Sequence, residues 1–125
     1  MYAHADVVTL HVPLTENRFS FKSTRNLIDD AALSGFKKSA VLINTSRGAV
    51  VNETDLLAAL NSSKLSGAAR DVLVNEHILT PNHPLLTYTH IYNNVILTPH
   101  IGGNTVESVR DTDLFVINKL KQWME

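Results

Sequence analysis

Four short apolar runs recur along the chain, and each places apolar residues on consecutive rather than alternate positions. Such a run predicts a strand that is covered on both faces, which is typical of parallel sheets. Segments with helical character separate most of the runs, so the sequence predicts an α/β fold with about four parallel strands and flanking helices. The predicted strands are residues 7–12 (VVTLHV), 40–44 (AVLIN), 68–73 and 95–98 (VILT).

Capping residues mark where the predicted helices begin. Asp29 and Asp30 suit the start of a short helix, and Asn52 suits the start of the next one, because such side chains accept a hydrogen bond from an unpaired backbone N–H. Asn104 and Glu107 have the spacing of a capping box before a long C-terminal helix. That helix carries one apolar stripe, which predicts packing against the core. The stripe consists of Val106, Val109, Val116, Ile117, Leu120, Trp123 and Met124.

Residues 75–93 are rich in proline and histidine and predict an irregular loop. The usual connection has roughly 4–6 residues, and long irregular loops in compact domains are often functional. The predicted order of elements is therefore β-α-β-α-β-loop-β-α, with right-handed crossovers.

Composition excludes several classes of protein. A chain of 125 residues with 44% hydrophobic and 18% charged residues predicts one folded domain. The formal net charge of −1 gives no electrostatic reason to expect nucleic acid or an anionic membrane as a partner. No apolar run approaches the roughly 18 residues that span a bilayer, and the first residues lack the pattern of a signal peptide.

Cysteine and histidine usage bears on redox chemistry and metals. The sequence has no cysteine, which excludes disulfides and fits the reducing cytoplasm, our predicted location. The histidines share no short ligand pattern such as HExxH, so no metal site is predicted. These histidines are His77, His83, His90 and His100.

Three residues whose side chains can bind an anion or transfer a proton each follow a predicted strand. Arg47, Glu76 and His100 come after the second, third and fourth runs. Alone, the arginine is more typical of a solvated loop, the histidine of a surface or capping position, and the glutamate indicates nothing. The carboxyl ends of parallel strands, however, share one edge of a sheet, where ligands bind. A guanidinium matches a carboxylate in shape, and an imidazole with a pKa of roughly 6.5 exchanges protons near neutral pH. Together they predict one site that holds an anion and moves a proton.

Five segments carry a family resemblance. They are ADVVTLHVPLT, VLINTSRGAVVNETDLLAAL, GAARDV with Glu76 five positions after Asp71, HPLL, and NVILTPHIGG. In this order and over nearly the whole chain, the sequence resembles the D-isomer-specific 2-hydroxyacid dehydrogenases. The resemblance implies that residues 1–125 form a single partial NAD-binding domain, the second half of a Rossmann-like doubly wound fold. It also implies an oxidoreductase that interconverts a small 2-keto acid and a 2-hydroxy acid with NAD or NADP.

The resemblance also implies roles for individual residues. Arg47 matches the arginine that holds the substrate carboxylate and polarises its carbonyl, His100 the proton donor and acceptor, and Glu76 the carboxylate that orients the histidine. Asp71 matches the residue that contacts the nicotinamide carboxamide. The other residues that it implies line the cofactor are His11, Val12, Pro13, Thr45 and Gly102.

The five glycines form no G-x-G-x-x-G motif. A dinucleotide pyrophosphate needs such a turn at a helix N-terminus, and in this fold it belongs to the first half of the domain. We therefore expect a fragment that lacks the glycine-rich half and the substrate domain, is inactive alone and does not bind NAD tightly. Cut at this point, residues 7–12 become an exposed apolar edge, which predicts a homodimer or other self-association unless the N-terminal segment covers it.

Three details depart from the family pattern. Residues 18–22 lie in an apparent insertion, His77 stands where proline is common, and residues 87–93 look extended. Two other interpretations stay open. One is a non-catalytic interaction module, like the dehydrogenase-related corepressors, which can keep the same three site residues. The other is a folding fragment without a biological role.

Overall fold

A computed structural model describes residues 2–16 and 23–124. It contains four strands that pair in parallel and lie side by side in chain order, so the predicted α/β fold with a parallel sheet is confirmed. The apparent insertion at residues 18–22 lies outside the described residues. The strands are β1 (Val7–Leu10), β2 (Val41–Asn44), β3 (Gly67–Arg70) and β4 (Val95–Leu97).

Within the described residues, four α-helices accompany the sheet, and two of the predicted caps are confirmed. The Asp29 side chain accepts the N–H of Ala32, and Asn52 accepts the N–H groups of Thr54 and Asp55. The helices are α1 (Asp30–Ser34), α2 (Glu53–Asn61), α3 (Pro84–Ile91) and α4 (Val106–Met124). Single 3-10 turns occupy Tyr2–His4, Gly48–Val50 and Glu76–Ile78.

Three strands end earlier than predicted, and for one of them, β4, the difference is the single residue Thr98. β1 stops at Leu10 and β3 stops at Arg70, whereas the predicted strands extended to residues 12 and 73. The reason lies in β2, which ends at Asn44 in register with both of these residues. The buried Asn44 side chain accepts the N–H of Ser46 and donates to the carbonyl of Arg47, which turns the chain out of the sheet. Residues beyond this point form the loops at the carboxyl edge.

The prediction of an irregular loop at residues 75–93 is wrong. This segment contains the turn Glu76–Ile78 and helix α3. Pro84 occupies the first turn of α3, where its missing N–H costs nothing. Leu85 and Tyr88 are one turn apart and both are buried, so tertiary packing stabilises a helix whose proline and histidine content suggested a loop.

Helix α4 differs from its prediction in two ways. Its cap is Thr105, whose hydroxyl accepts the N–H of Ser108 at 3.2 Å, so the prediction of Asn104 is wrong by one residue. The prediction that its stripe packs in the core is also wrong, because no described residue of α4 is buried. Val106 is 83% exposed and Trp123 84% exposed. Amphipathic spacing records that one face favours apolar surroundings, but it does not identify the surface that provides them.

The core lies between the sheet and the helices. Leu42 from β2, Val51 after the turn at 48–50 and Leu56 from α2 are fully buried. Ile28 forms a parallel bridge with Val51 and is also fully buried, which ties the segment before α1 to the segment before α2. Among the helices of the described ranges, none combines the length and apolarity needed to cross a bilayer.

Gly67 provides a test of the β3–β4 pairing. A Cβ at this position would lie 2.5 Å from the carbonyl oxygen of Asn94, which accepts the N–H of Ala68 at 3.0 Å. We expect Gly67→Ala to lower the free energy of unfolding by about 1–3 kcal/mol, because the two backbones must separate. Urea unfolding measures this. Gly103→Ala is the matched control, since its Cβ would meet no atom within 4 Å, and equal stability of the two variants would contradict the pairing.

Candidate active site

The predicted site residues follow β2, β3 and β4 at one edge of the sheet. Asn44, the last residue of β2, holds the turn that ends at Arg47, whose own Nη1 donates to the carbonyl of Ser46 at 2.6 Å. Arg47 is exposed. Glu76 follows β3 and His100 follows β4, so the parallel sheet gathers residues that are far apart in the sequence.

Glu76 and His100 are in direct contact. Nδ1 of His100 lies 2.5 Å from Oε1 of Glu76, and the side chains are 41% and 36% exposed. Because a carboxylate only accepts hydrogen bonds, the contact requires a proton on Nδ1. Nε2 is then the imidazole nitrogen that exchanges a proton with a ligand. The pair can therefore act as an oriented acid–base group that solvent and ligands reach.

Several neighbours keep Glu76 ionised. Partial burial raises its pKa, but the hydrogen bonds from His100 and from the Leu73 N–H, together with the charges of His100 and Arg47, lower the pKa by more. The Leu73 N–H donates to Oε2 at 3.3 Å, so the carboxylate is also fastened to its own loop. A carboxylate that stays charged stabilises a protonated imidazole beside it.

The backbone at this pair adopts an uncommon conformation. Asn75, immediately before Glu76, has φ of 53°, and His100 has φ of 55°. Left-handed backbone of this kind is sparsely populated by residues other than glycine and costs of order 1–3 kcal/mol when the local conformation is strained. The loops around both residues therefore need contacts that hold them.

Asp71 provides such contacts for the histidine loop. Its Oδ1 accepts from the Thr98 hydroxyl at 2.5 Å and from the Ile101 N–H at 3.0 Å, and its Oδ2 accepts from the Gly102 N–H at 2.9 Å. Burial raises the pKa of Asp71, but these three donors and the charge of His100 lower the pKa by more. The carboxylate thus fastens both ends of the segment that carries His100.

Gly102 is tightly packed against this carboxylate. A Cβ on Gly102 would lie 3.0 Å from Oδ2 of Asp71, closer than most real Cβ contacts. The sequence resemblance links Asp71 and Gly102 to the cofactor, and the geometry adds a second task for both, which is to shape the loop of His100. The nicotinamide contact of Asp71 stays a prediction.

Cavities at the carboxyl edge bring the predicted residues together. Arg47, Glu76 and His100 line one cavity of about 250 Å³. A second, of about 410 Å³, lies beside Asp71, Glu76 and His100 and is otherwise lined largely by leucines. A third cavity, of about 470 Å³, lies at the ends of β1 and β2. Its lining includes Arg47 and the predicted cofactor residues His11, Val12, Pro13 and Thr45.

Sequence reasoning missed several charged residues near the site. Arg25 lines the cavity of Arg47 and forms an ion pair with Glu16 at 2.7 Å. Arg70 is only 2% exposed and pairs with Glu53 at 2.9 Å. An arginine inside an apolar strand was the available signal, because a buried guanidinium requires an acidic partner.

Within the described ranges, no group of three or more His, Asp or Glu side chains is arranged to hold a metal ion.

Asp71→Asn tests the fastening of the histidine loop. An amide cannot accept all three donors, so we expect the variant to lose about 1–3 kcal/mol of unfolding free energy near neutral pH. The folded pKa of Asp71 lies below the ordinary value of 3.8, so its stabilisation is complete above that value and is lost as the pH falls through the folded pKa. The difference between variant and wild type should therefore shrink in acid.

Urea unfolding at neutral pH and at a pH of about 2.5 measures this difference. Asp113→Asn, an exposed acid on α4, is the matched control and should change stability little at either pH. A difference for Asp71→Asn that stays constant in acid would show that the charge of Asp71 does not hold the loop.

The chain is similar to known proteins in sequence and in fold. The family profile described as D-isomer specific 2-hydroxyacid dehydrogenase, NAD binding domain, matches residues 1–102. A glyoxylate reductase of Thermofilum pendens is 44% identical over 104 residues, which cover 83% of this chain and 27% of that protein. The chain thus spans well under half the length of that relative.

Solved structures agree with the sequence comparison. A D-lactate dehydrogenase from Sporolactobacillus superposes with a TM-score of 0.77 and 39% identity, covering 94% of this chain and 36% of that one. A D-lactate dehydrogenase from Aquifex aeolicus, complexed with NAD and lactic acid, gives a TM-score of 0.75 and 30% identity, covering 98% and 38% of the two chains. Both solved structures share the fold of this chain and are at least 30% identical to it in sequence.

Proposed function

Because the chain belongs to the D-isomer-specific 2-hydroxyacid dehydrogenase family, we propose that it supplies the acid–base part of a site that interconverts a 2-keto acid and a 2-hydroxy acid. One observation carries this proposal. The Glu76–His100 pair lines the same cavity as Arg47, so an anion-binding group and a proton donor meet at one place.

Arg47 and His100 have complementary tasks in the proposed reaction. The Arg47 guanidinium binds the carboxylate of the keto acid, for which its planar fork is suited. The adjacent carbonyl oxygen then receives a proton from Nε2 of His100 as the carbonyl carbon is reduced. In the reverse direction Nε2 removes the hydroxyl proton. An imidazole suits both directions because its two protonation states coexist near neutral pH.

Glu76 makes the imidazole effective. By accepting a hydrogen bond from the Nδ1–H of His100, it fixes the tautomer that leaves Nε2 available for the substrate. Its negative charge stabilises the imidazolium that forms when His100 takes a proton from the hydroxy acid. The lowered pKa of Glu76 keeps this charge present at neutral pH.

A nicotinamide cofactor fits the same edge. The cavity of about 470 Å³ at the ends of β1 and β2 is lined by residues 11–13 and by Thr45, beside Arg47. When bound, NADH supplies the hydride for the carbonyl carbon. The family is described as NAD binding, and the Aquifex relative was solved with NAD, so we propose NAD rather than NADP for the complete enzyme.

We further propose that residues 1–125 form one unit, the second half of an NAD-binding domain. A homodimer and a cytoplasmic location stay predictions. The exposed edge supports self-association, because among the described strands β1 pairs only with β2 and its Val7 is 54% exposed. For the 125-residue chain by itself, a second copy that extends the sheet at β1 is the arrangement we favour.

The sequence of these 125 residues predicts weak cofactor binding. It contains no glycine-rich turn for the pyrophosphate, and such turns supply backbone N–H groups that dinucleotides need. Isothermal titration of the chain with NADH should therefore give an affinity weaker than micromolar. A micromolar or tighter dissociation constant would contradict this, and a longer protein containing the glycine-rich half serves as the positive control.

The role of Arg47 is tested in the complete gene product. NADH oxidation should be observed with at least one of glyoxylate, pyruvate and hydroxypyruvate. Arg47→Lys should lower kcat/KM by at least about tenfold, because a point charge cannot replace the bidentate fork. Arg110→Lys on exposed α4 is the matched control.

An unchanged rate for Arg47→Lys would remove our assignment for that residue. If the wild type oxidised NADH with none of the three acids, an interaction module would become the better description of the protein.

A further inference from the structure

A buried ion pair lies directly beneath the site. Arg70, the last residue of β3, places Nη1 2.9 Å from Oε1 of Glu53 at the start of α2. The Arg70 side chain has no exposed surface, and that of Glu53 is 16% exposed. Burial lowers the pKa of Arg70, while the charge and hydrogen bond of Glu53 raise it. Glu53 is thus the counter-charge that makes a buried guanidinium tolerable.

The two partners also bind backbone groups of the site loops. Nη2 of Arg70 donates to the carbonyl of Gly48 at 3.1 Å, and Gly48 directly follows Arg47. Oε1 of Glu53 accepts the N–H of Val74 at 2.9 Å, two residues before Glu76. A continuous series of contacts therefore runs from the loop of Arg47, through the ion pair, to the loop of Glu76.

These two loops are also in close contact with each other. A Cβ on Gly48 would lie 2.2 Å from the carbonyl group of Leu73 and 2.6 Å from the nitrogen of Val74. No side chain therefore fits at position 48, and the two loop backbones pack directly against each other. His83, just before α3, adds a contact from a third element, since its Nε2 lies 3.3 Å from Oε2 of Glu53.

We propose that Glu53 is a positioning residue which, through Arg70 and the Val74 N–H, fixes Arg47 relative to the Glu76–His100 pair. This inference rests on the proposed function. The carboxylate and the carbonyl of a 2-keto acid are on adjacent carbons, so the groups that bind them have little freedom in their spacing. A misplacement of about 1 Å can lower a rate by about 100-fold.

Stability alone does not explain the ion pair. Replacing a buried ion pair by apolar side chains of similar volume is often neutral or stabilising, because desolvation offsets much of the attraction. Arg70 and Glu53 are distinguished by what else they bind, namely one backbone group from each site loop.

The double variant Glu53→Leu/Arg70→Leu separates positioning from stability. It removes both charges, so no unpaired charge remains in the core. In the 125-residue chain, we expect the Nδ1 proton resonance of His100, observed by NMR at low field through its bond to Glu76, to shift or broaden beyond detection. Urea unfolding of the same sample should still be cooperative.

Two controls define the specificity of this effect. Asp55→Asn removes a different acid from the first turn of α2, and Leu60→Ala removes buried core contacts of the same helix. Both should leave the His100 resonance at its wild-type position, although Leu60→Ala lowers stability. A folded double variant with the wild-type resonance would overturn the proposal.

Kinetics of the complete gene product provide a second readout. The double variant should raise KM for the keto acid at least about fivefold and lower kcat, because Arg47 and His100 no longer face the substrate together. Leu60→Ala reduces only the folded fraction, so it lowers kcat without changing KM. A folded double variant with unchanged KM would count against positioning.

If the double variant does not fold, the single variant Arg70→Lys tests the proposal instead. Lysine keeps a charge for Glu53 but lacks the fork that reaches the Gly48 carbonyl at the same time. It should shift the same resonance and raise KM, and wild-type values for both would overturn the proposal. If the wild type shows no dehydrogenase activity, the proposed function fails, while the resonance of His100 still decides whether Glu53 positions the two loops.

Discussion

Carboxylates that accept backbone N–H groups hold the loops at the carboxyl edge of the sheet. Asp71 binds the N–H groups of Ile101 and Gly102, Glu53 binds that of Val74, and Glu76 binds that of Leu73. Backbone groups in such loops have no ladder to pair with, so side chains must satisfy them. The same bonds keep the pKa values of Asp71 and Glu76 low, so the groups that shape the edge also stay charged. The same backbone hydrogen bonds therefore fix the geometry of these loops and keep the carboxylates charged.

This arrangement explains how a small sheet with strands of three or four residues supports an ordered site. The strands bring their ends to one edge, but the ladder stops at Leu10, Asn44, Arg70 and Leu97. Beyond it, the buried amide of Asn44 shapes the turn of Arg47, and the buried pair of Arg70 and Glu53 joins that turn to the next loop. The turn of Arg47 and the loop that leads to Glu76 are thus held by polar side chains rather than by the sheet itself.

The sequence was informative where the determinants are local or carry a motif. Consecutive apolar residues predicted the strands, Asp29 and Asn52 predicted helix starts, and the motifs around Arg47 and His100 predicted the family. The sequence was uninformative where contacts between residues far apart in the chain determine the structure. Helix α3 depends on burial of Leu85 and Tyr88, which its proline and histidine content obscured. The pairing of Arg70 with Glu53, 17 positions earlier, becomes visible only when the fold places them together. The apolar stripe on α4 likewise predicted an apolar helix face but not the surface that this face contacts.

The left-handed backbone at His100 also affects how this position tolerates change. Asparagine and glycine enter that conformation more readily than other residues, whereas β-branched side chains resist it. A replacement by asparagine therefore removes the imidazole while keeping the loop path, whereas valine or isoleucine would alter both chemistry and main-chain route. Replacement of His100 is therefore limited by its backbone torsion angle as well as by the chemistry proposed for its ring.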